Sequence, residues 1–89
     1  MAWYRVLSWR EIPAQIKVRD GSGRRISCLL PDRFQQEIDR VAMRDGVSAS
    51  DAYLAEWSWS EEAERTGDAD TVAAALLAEL VAHWDGLRA

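Results

Sequence analysis

Between Ile12 and Leu30 the chain carries a pattern that suits a β-hairpin and no helix. Ile12, Ala14, Ile16 and Val18 alternate with Pro13, Gln15, Lys17 and Arg19. A period of two is that of a strand with one buried face. Asp20-Gly21-Ser22-Gly23 follows, and its two glycines permit the positive φ that a tight turn needs. Residues 24–30 return as a second arm, with Ile26, Cys28 and Leu30 on one side and Arg25, Ser27 and Leu29 on the other. The spacing therefore predicts a hairpin over 12–30, with Ile16, Val18, Ile26 and Cys28 facing inward. Lys17, Arg19 and Arg25 share its outer face. Pro13 has no N–H to give to a ladder and belongs at a strand start or an edge. Trp3–Trp9 is rich in aromatic and branched residues and suits a further strand.

Three helices are predicted beyond the hairpin. Pro31 and Asp32 open the first, over 31–45, with Phe34, Ile38, Val41 and Ala42 as one apolar stripe and Gly46 as its stop. Ser48 is the expected cap of the second, over 48–66, with Asp51 as its capping-box partner. Thr66-Gly67-Asp68 breaks the chain. Asp70 is the expected cap of the third, over 70–85, and Gly86 its end. That helix is apolar around most of its circumference: Leu76, Leu77, Leu80, Val81 and Trp84 form a wide stripe, and Ala73, Ala74 and Ala78 extend it. So much apolar surface in a short chain points to a partner. The fold class is α+β: a small antiparallel sheet of two or three strands, then three helices, in a single domain over 1–89.

Charge is unevenly placed. The net charge is −4, yet residues 1–30 sum to +4 and residues 31–89 to −8. A basic sheet joined to acidic helices favours an acidic partner at one end. The single cysteine, Cys28, excludes an internal disulfide and suits a reducing, cytoplasmic setting. The N-terminus lacks the apolar core of a signal peptide, and Val72–Ala78 is too short to cross a bilayer.

No constellation of residues points to catalysis. His83 and Cys28 lie far apart in sequence, and Cys28 alternates with Ile26 and Leu30 as a packing residue does. One histidine and one cysteine make no transition-metal site. No cofactor is expected, and the chain does not read as an enzyme. Tryptophan is the unusual residue, at five in 89. Trp57 and Trp84 read as core; Trp9 and Trp59 read as partner-binding positions.

Two families resemble parts of this chain. Residues 25–54, a strand, a proline stop, a helix, a glycine turn and a second helix, are similar in order to ribbon-helix-helix proteins. That likeness implies a homodimer whose paired strands read DNA, with Arg25, Ser27 and Leu29 at the base-reading positions and Ser48 near a phosphate. Leu29 has no hydrogen-bonding group for that task, and the hairpin offers its strand an intrachain mate. The words Trp9-Arg10-Glu11-Ile12-Pro13-Ala14-Gln15, Leu30-Pro31-Asp32-Arg33-Phe34-Gln35, Ala42-Met43-Arg44-Asp45-Gly46 and Asp51-Ala52-Tyr53-Leu54 resemble the small bacterial virulence factor domain family, over about residues 4–58. The third helix lies outside that likeness. Short members of the family accompany folate-dependent one-carbon enzymes, which implies an accessory role and assigns no site residue.

The expected function is a non-catalytic protein-interaction module, an accessory or regulatory subunit of a cytoplasmic complex. Trp9, Trp59 and the outward face of the third helix are its expected contacts, with Arg19 and Arg25 steering the approach. The alternative is a dimeric DNA-binding repressor or antitoxin using Arg25, Ser27 and Ser48.

Overall fold

The predicted hairpin forms, and it is the centre of a larger sheet. The computed structural model describes residues 1–88. In chain order the elements are β1 (Ala2–Trp9), β2 (Ile12–Asp20), β3 (Arg25–Leu29), α1 (Asp32–Arg44), α2 (Asp51–Ala55), β4 (Trp57–Trp59), β5 (Ala63–Arg65) and α3 (Ala69–Arg88). The sheet is antiparallel and has five strands, in the order β3-β2-β1-β4, with β5 also paired to β1.

The two- or three-stranded expectation falls short because residues 56–65 are not helix. Only Asp51–Ala55 is helical; the predicted helix over 48–66 is replaced by β4 and β5. The physical reason is the outer edge of β1, whose backbone groups need partners. Leu7, Ser8 and Trp9 pair with Trp59, Ser58 and Trp57, and Ala2, Trp3 and Tyr4 pair with Arg65, Glu64 and Ala63. Between the two stretches the register slips by one residue. Ser60 bridges the gap: its N–H donates to the Val6 carbonyl at 2.8 Å, and its hydroxyl accepts from the Val6 N–H at 2.9 Å.

One face of the sheet carries the core. Ala2, Ile16 and Val18 are buried there, beside half-buried Tyr4, Val6, Ile26 and Cys28. α1 and α3 both pack on β2, contributing Phe34, Ile38 and Ala42 from one helix and Ala69, Val72, Ala73 and Leu76 from the other. Phe34 and Trp84 join the helices, with ring centroids 5.9 Å apart.

Helix ends follow the expected chemistry with shifted residues. α1 closes on Gly46 at φ 69°, where the Val47 N–H reaches the Ala42 carbonyl at 2.9 Å and the Gly46 N–H reaches that of Met43 at 3.2 Å. Ser50, not Ser48, caps α2. Asp68, not Asp70, caps α3 by accepting from the Thr71 N–H at 2.8 Å. Asp70 instead pairs with Arg24 at 2.6 Å. Asp20, in the β2–β3 turn, accepts from the Ala69 N–H at 2.8 Å and so ties the hairpin to the start of α3. Gly86 lies inside α3 and does not end it.

Candidate functional site

The other face of the sheet has no helix on its central columns. Register places Trp3, Arg19 and Arg25 side by side, then Arg5, Lys17 and Ser27, then Leu7, Gln15 and Leu29. Paired residues on neighbouring strands point to the same side. Arg5, Lys17, Arg19, Arg25, Ser27 and Leu29 are exposed. Trp59, opposite Leu7, extends this face onto β4. A groove of about 500 Å³ runs across it, lined by Trp3, Arg5, Lys17, Arg19, Arg25 and Glu62 among others.

The electrostatics of this face differ from the rest of the surface. Arg10, Arg24, Arg33, Arg40, Arg44 and Arg65 each meet a carboxylate. Arg19 is also held: its guanidinium lies 3.0 Å from Glu62 and stacks on Trp3 at 4.5 Å. Among the described side chains, the cations without a carboxylate partner are Arg5, Lys17 and Arg25, and all three stand on the open face. Lys17 rests over the Trp59 ring at 5.0 Å. The arrangement offers a surface that is positive across β1, β2 and β3 and interleaved with two indoles, with Glu62 and Glu64 at its β5 margin. Such a surface suits an anionic one.

The structure brings together three of the four expected partner-binding residues: Trp59, Arg19 and Arg25. It removes the fourth. Trp9 is fully buried, with its ring 5.7 Å from that of Tyr53 and its indole N–H donating to the Tyr53 carbonyl. A strand end before an arginine looks exposed in the sequence. The return of the chain through α2 covers it. Of the residues expected to contact DNA, Ser27 joins Arg25 on the open face, while Ser48 sits between α1 and α2 with its N–H on the Ala42 carbonyl. The sequence predicts an apolar outward face on α3. Instead Leu76 is buried, and Leu77, Leu80, Val81 and Trp84 pack against the core. Trp3 and Arg5 were missed as site residues. Their two-residue alternation was visible, but only the β1–β2 register sets them beside Arg19 and Lys17.

Away from this face, His83 shares a groove of about 280 Å³ with Glu11 and Ser8. No hydrogen bond joins the three. Cys28 is free and half-buried opposite Ile16. Among the described residues no three metal-ligating side chains cluster, and no helix is long and apolar enough to cross a membrane.

A family model described as "Virulence factor" matches residues 7–88, and the chain belongs to that family. The match runs through α3, so the family likeness is not confined to residues 4–58. No curated protein and no solved structure matches the chain.

Proposed function

We propose that this chain is a non-catalytic interaction module, an accessory or regulatory subunit that docks on an acidic surface of a partner protein through the open face of its sheet. The observation that carries this reading is the placement of Arg5, Lys17 and Arg25. The molecule carries net negative charge and pairs its other described arginines, yet leaves these three cations unanswered on one face. Like charges on neighbouring strands repel and cost stability. An acidic partner answers them and gains from their field during the approach. Trp3 and Trp59 add broad rings that bind well at low cost in side-chain entropy. Through the family, folate-dependent one-carbon enzymes are the first partners to test.

The test is a pull-down from the native organism, read by mass spectrometry, with the wild type beside an Arg5→Glu/Lys17→Glu variant. The wild type retains a partner that rising salt releases, and the variant does not. Recovery of the free monomer in both arms counts against the proposal. A gel shift at low salt with the protein's own upstream DNA decides the repressor alternative. A salt-steep shift lost in Arg25→Ala would favour it.

A further inference from the structure

β3 is a strand with an unused side. The Asp20 N–H donates to the Arg24 carbonyl at 3.1 Å, and the Leu30 N–H donates to the Ala14 carbonyl at 2.9 Å. These are hydrogen-bonded pairs at the two ends of the β2–β3 ladder. In an antiparallel ladder such pairs alternate with unbonded ones. Ile26 and Cys28 therefore spend their backbone groups on Val18 and Ile16. Arg25, Ser27 and Leu29 turn theirs outward, where the sheet order ends.

The two edges of the sheet are treated differently. At the far edge, β4 and β5 are three residues each, out of register with one another and plugged by the Ser60 hydroxyl. Breaks of this kind blunt an edge. β3 has five residues with no proline, glycine or bulge, and its Leu29 is 75% exposed. Its one charge, Arg25, has no carboxylate partner among the described residues.

We propose that the β3 edge takes up an extended acidic segment of a partner protein as an added strand, with a carboxylate opposite Arg25 and an apolar side chain opposite Leu29. The proposal rests on the acidic-partner reading above and specifies how that partner is held. Backbone pairing supplies the affinity, and alternate side chains select the sequence. A second copy is the poorer occupant: two β3 strands paired about Ser27 set Arg25 against Leu29 and leave its charge unanswered. Nucleic acid has no row of amides and carbonyls to complete the ladder.

The probe is a fluorescein-labelled, end-capped octapeptide with Val at its second position, Glu at its sixth and Thr elsewhere, so that Val and Glu lie four residues apart on one face of the added strand, as Leu29 and Arg25 do. Binding by fluorescence anisotropy is expected at low salt, with hydrogen exchange at the Ser27 and Leu29 amides slowed about tenfold or more. Ser27→Pro removes an outward N–H that β2 does not use, an edge position where proline is tolerated. It is expected to weaken binding about tenfold or more while circular dichroism stays unchanged. The same peptide N-methylated at alternate amides, offered to the unaltered protein, loses affinity equally. Strand addition is overturned if both changes leave binding intact and the amides unprotected. Continued sensitivity to Arg5→Glu/Lys17→Glu would then preserve open-face docking alone, and insensitivity to that pair as well would remove both readings. A peptide-free dimer with the Ser27 amide protected would instead assign the edge to a second copy. Binding of a thymidine dodecamer but not the peptide would overturn both protein readings.

Discussion

The indole Nε1 of Trp9 donates to the backbone carbonyl of Tyr53 at 2.9 Å, across 44 residues of chain. Around this bond the end of β1, α2 and β4 close into one corner. Tyr53 meets Trp57 edge-on at 6.1 Å. Arg10 covers the Trp9 ring at 4.5 Å while pairing with Asp45 at 2.5 Å and sending its own N–H to the Glu56 carbonyl at 3.1 Å. The corner fastens the segment that would otherwise leave β1 with a bare edge.

Trp9→Ala empties this corner and is expected to cost about 3–5 kcal/mol, the range for deleting a large buried ring. A domain of this size has only about 4–13 kcal/mol in total. Trp9→Phe keeps an aromatic ring but loses the bond to Tyr53, whose carbonyl still accepts from the Glu56 N–H at 3.3 Å, and should cost about 0.5–1.5 kcal/mol. Urea unfolding of both variants checks the ordering. Equal losses would show that the ring kept by Trp9→Phe contributes nothing, and an unaltered Trp9→Phe would show the same of the Tyr53 bond.

Asp20 makes the fold acid-sensitive. The Ser22 hydroxyl above all, and then the Ala69 N–H, hold its carboxyl at about 2 against an ordinary 3.8. The unfolded chain takes up the proton more readily, so acid favours unfolding. The stabilisation is fully present above 3.8 and is lost as the pH falls toward 2. Asp20→Asn should lower stability at neutral pH and flatten that acid limb. Thermal melts across the window test it; an unchanged limb would place the sensitivity elsewhere.

Ser60 completes a ladder that the register slip leaves open. Ser60→Ala removes the acceptor of the Val6 N–H and is expected to cost about 0.5–1.5 kcal/mol. Faster hydrogen exchange at Val6, with β2 and β3 unaffected, is the specific signature. Uniform exchange changes across the sheet would contradict a local role.

Gly67 joins β5 to α3 at φ 127°, and a Cβ there would stand 3.3 Å from Val72 Cγ2, a buried side chain. Gly67→Ala combines backbone strain with a crowded core neighbour and should cost at least about 1 kcal/mol. Gly21 has open space and no positive φ. Gly21→Ala in the same chemical denaturation series is expected to be near neutral. A similar loss at both would indicate a general glycine effect.

Much of the architecture was legible locally. The alternation of Ile12 to Val18 and the Asp20–Gly23 turn specify β2 and β3, since period and turn chemistry act over a few residues. Phe34, Ile38 and Ala42 read correctly as the buried stripe of α1. Trp57-Ser58-Trp59 read wrongly as helix because its strand character depends on a β1 edge about fifty residues earlier. Arg19, Arg25 and Trp59 were legible as candidates for the site. Trp9 was not legible as core, because its cover comes from Tyr53 in a distant helix.

The amino-acid order by itself determined the hairpin, the first helix, the polarity of charge along the chain and the α+β class. These depend on neighbours within one or two turns of backbone. Tertiary structure alone decided that Trp3 and Arg5 join Lys17 and Arg25, that α3 is spent on the core, and that β3 keeps a free edge. Each follows from pairing and packing between segments far apart in the chain, where register, not residue type, sets which side chains meet.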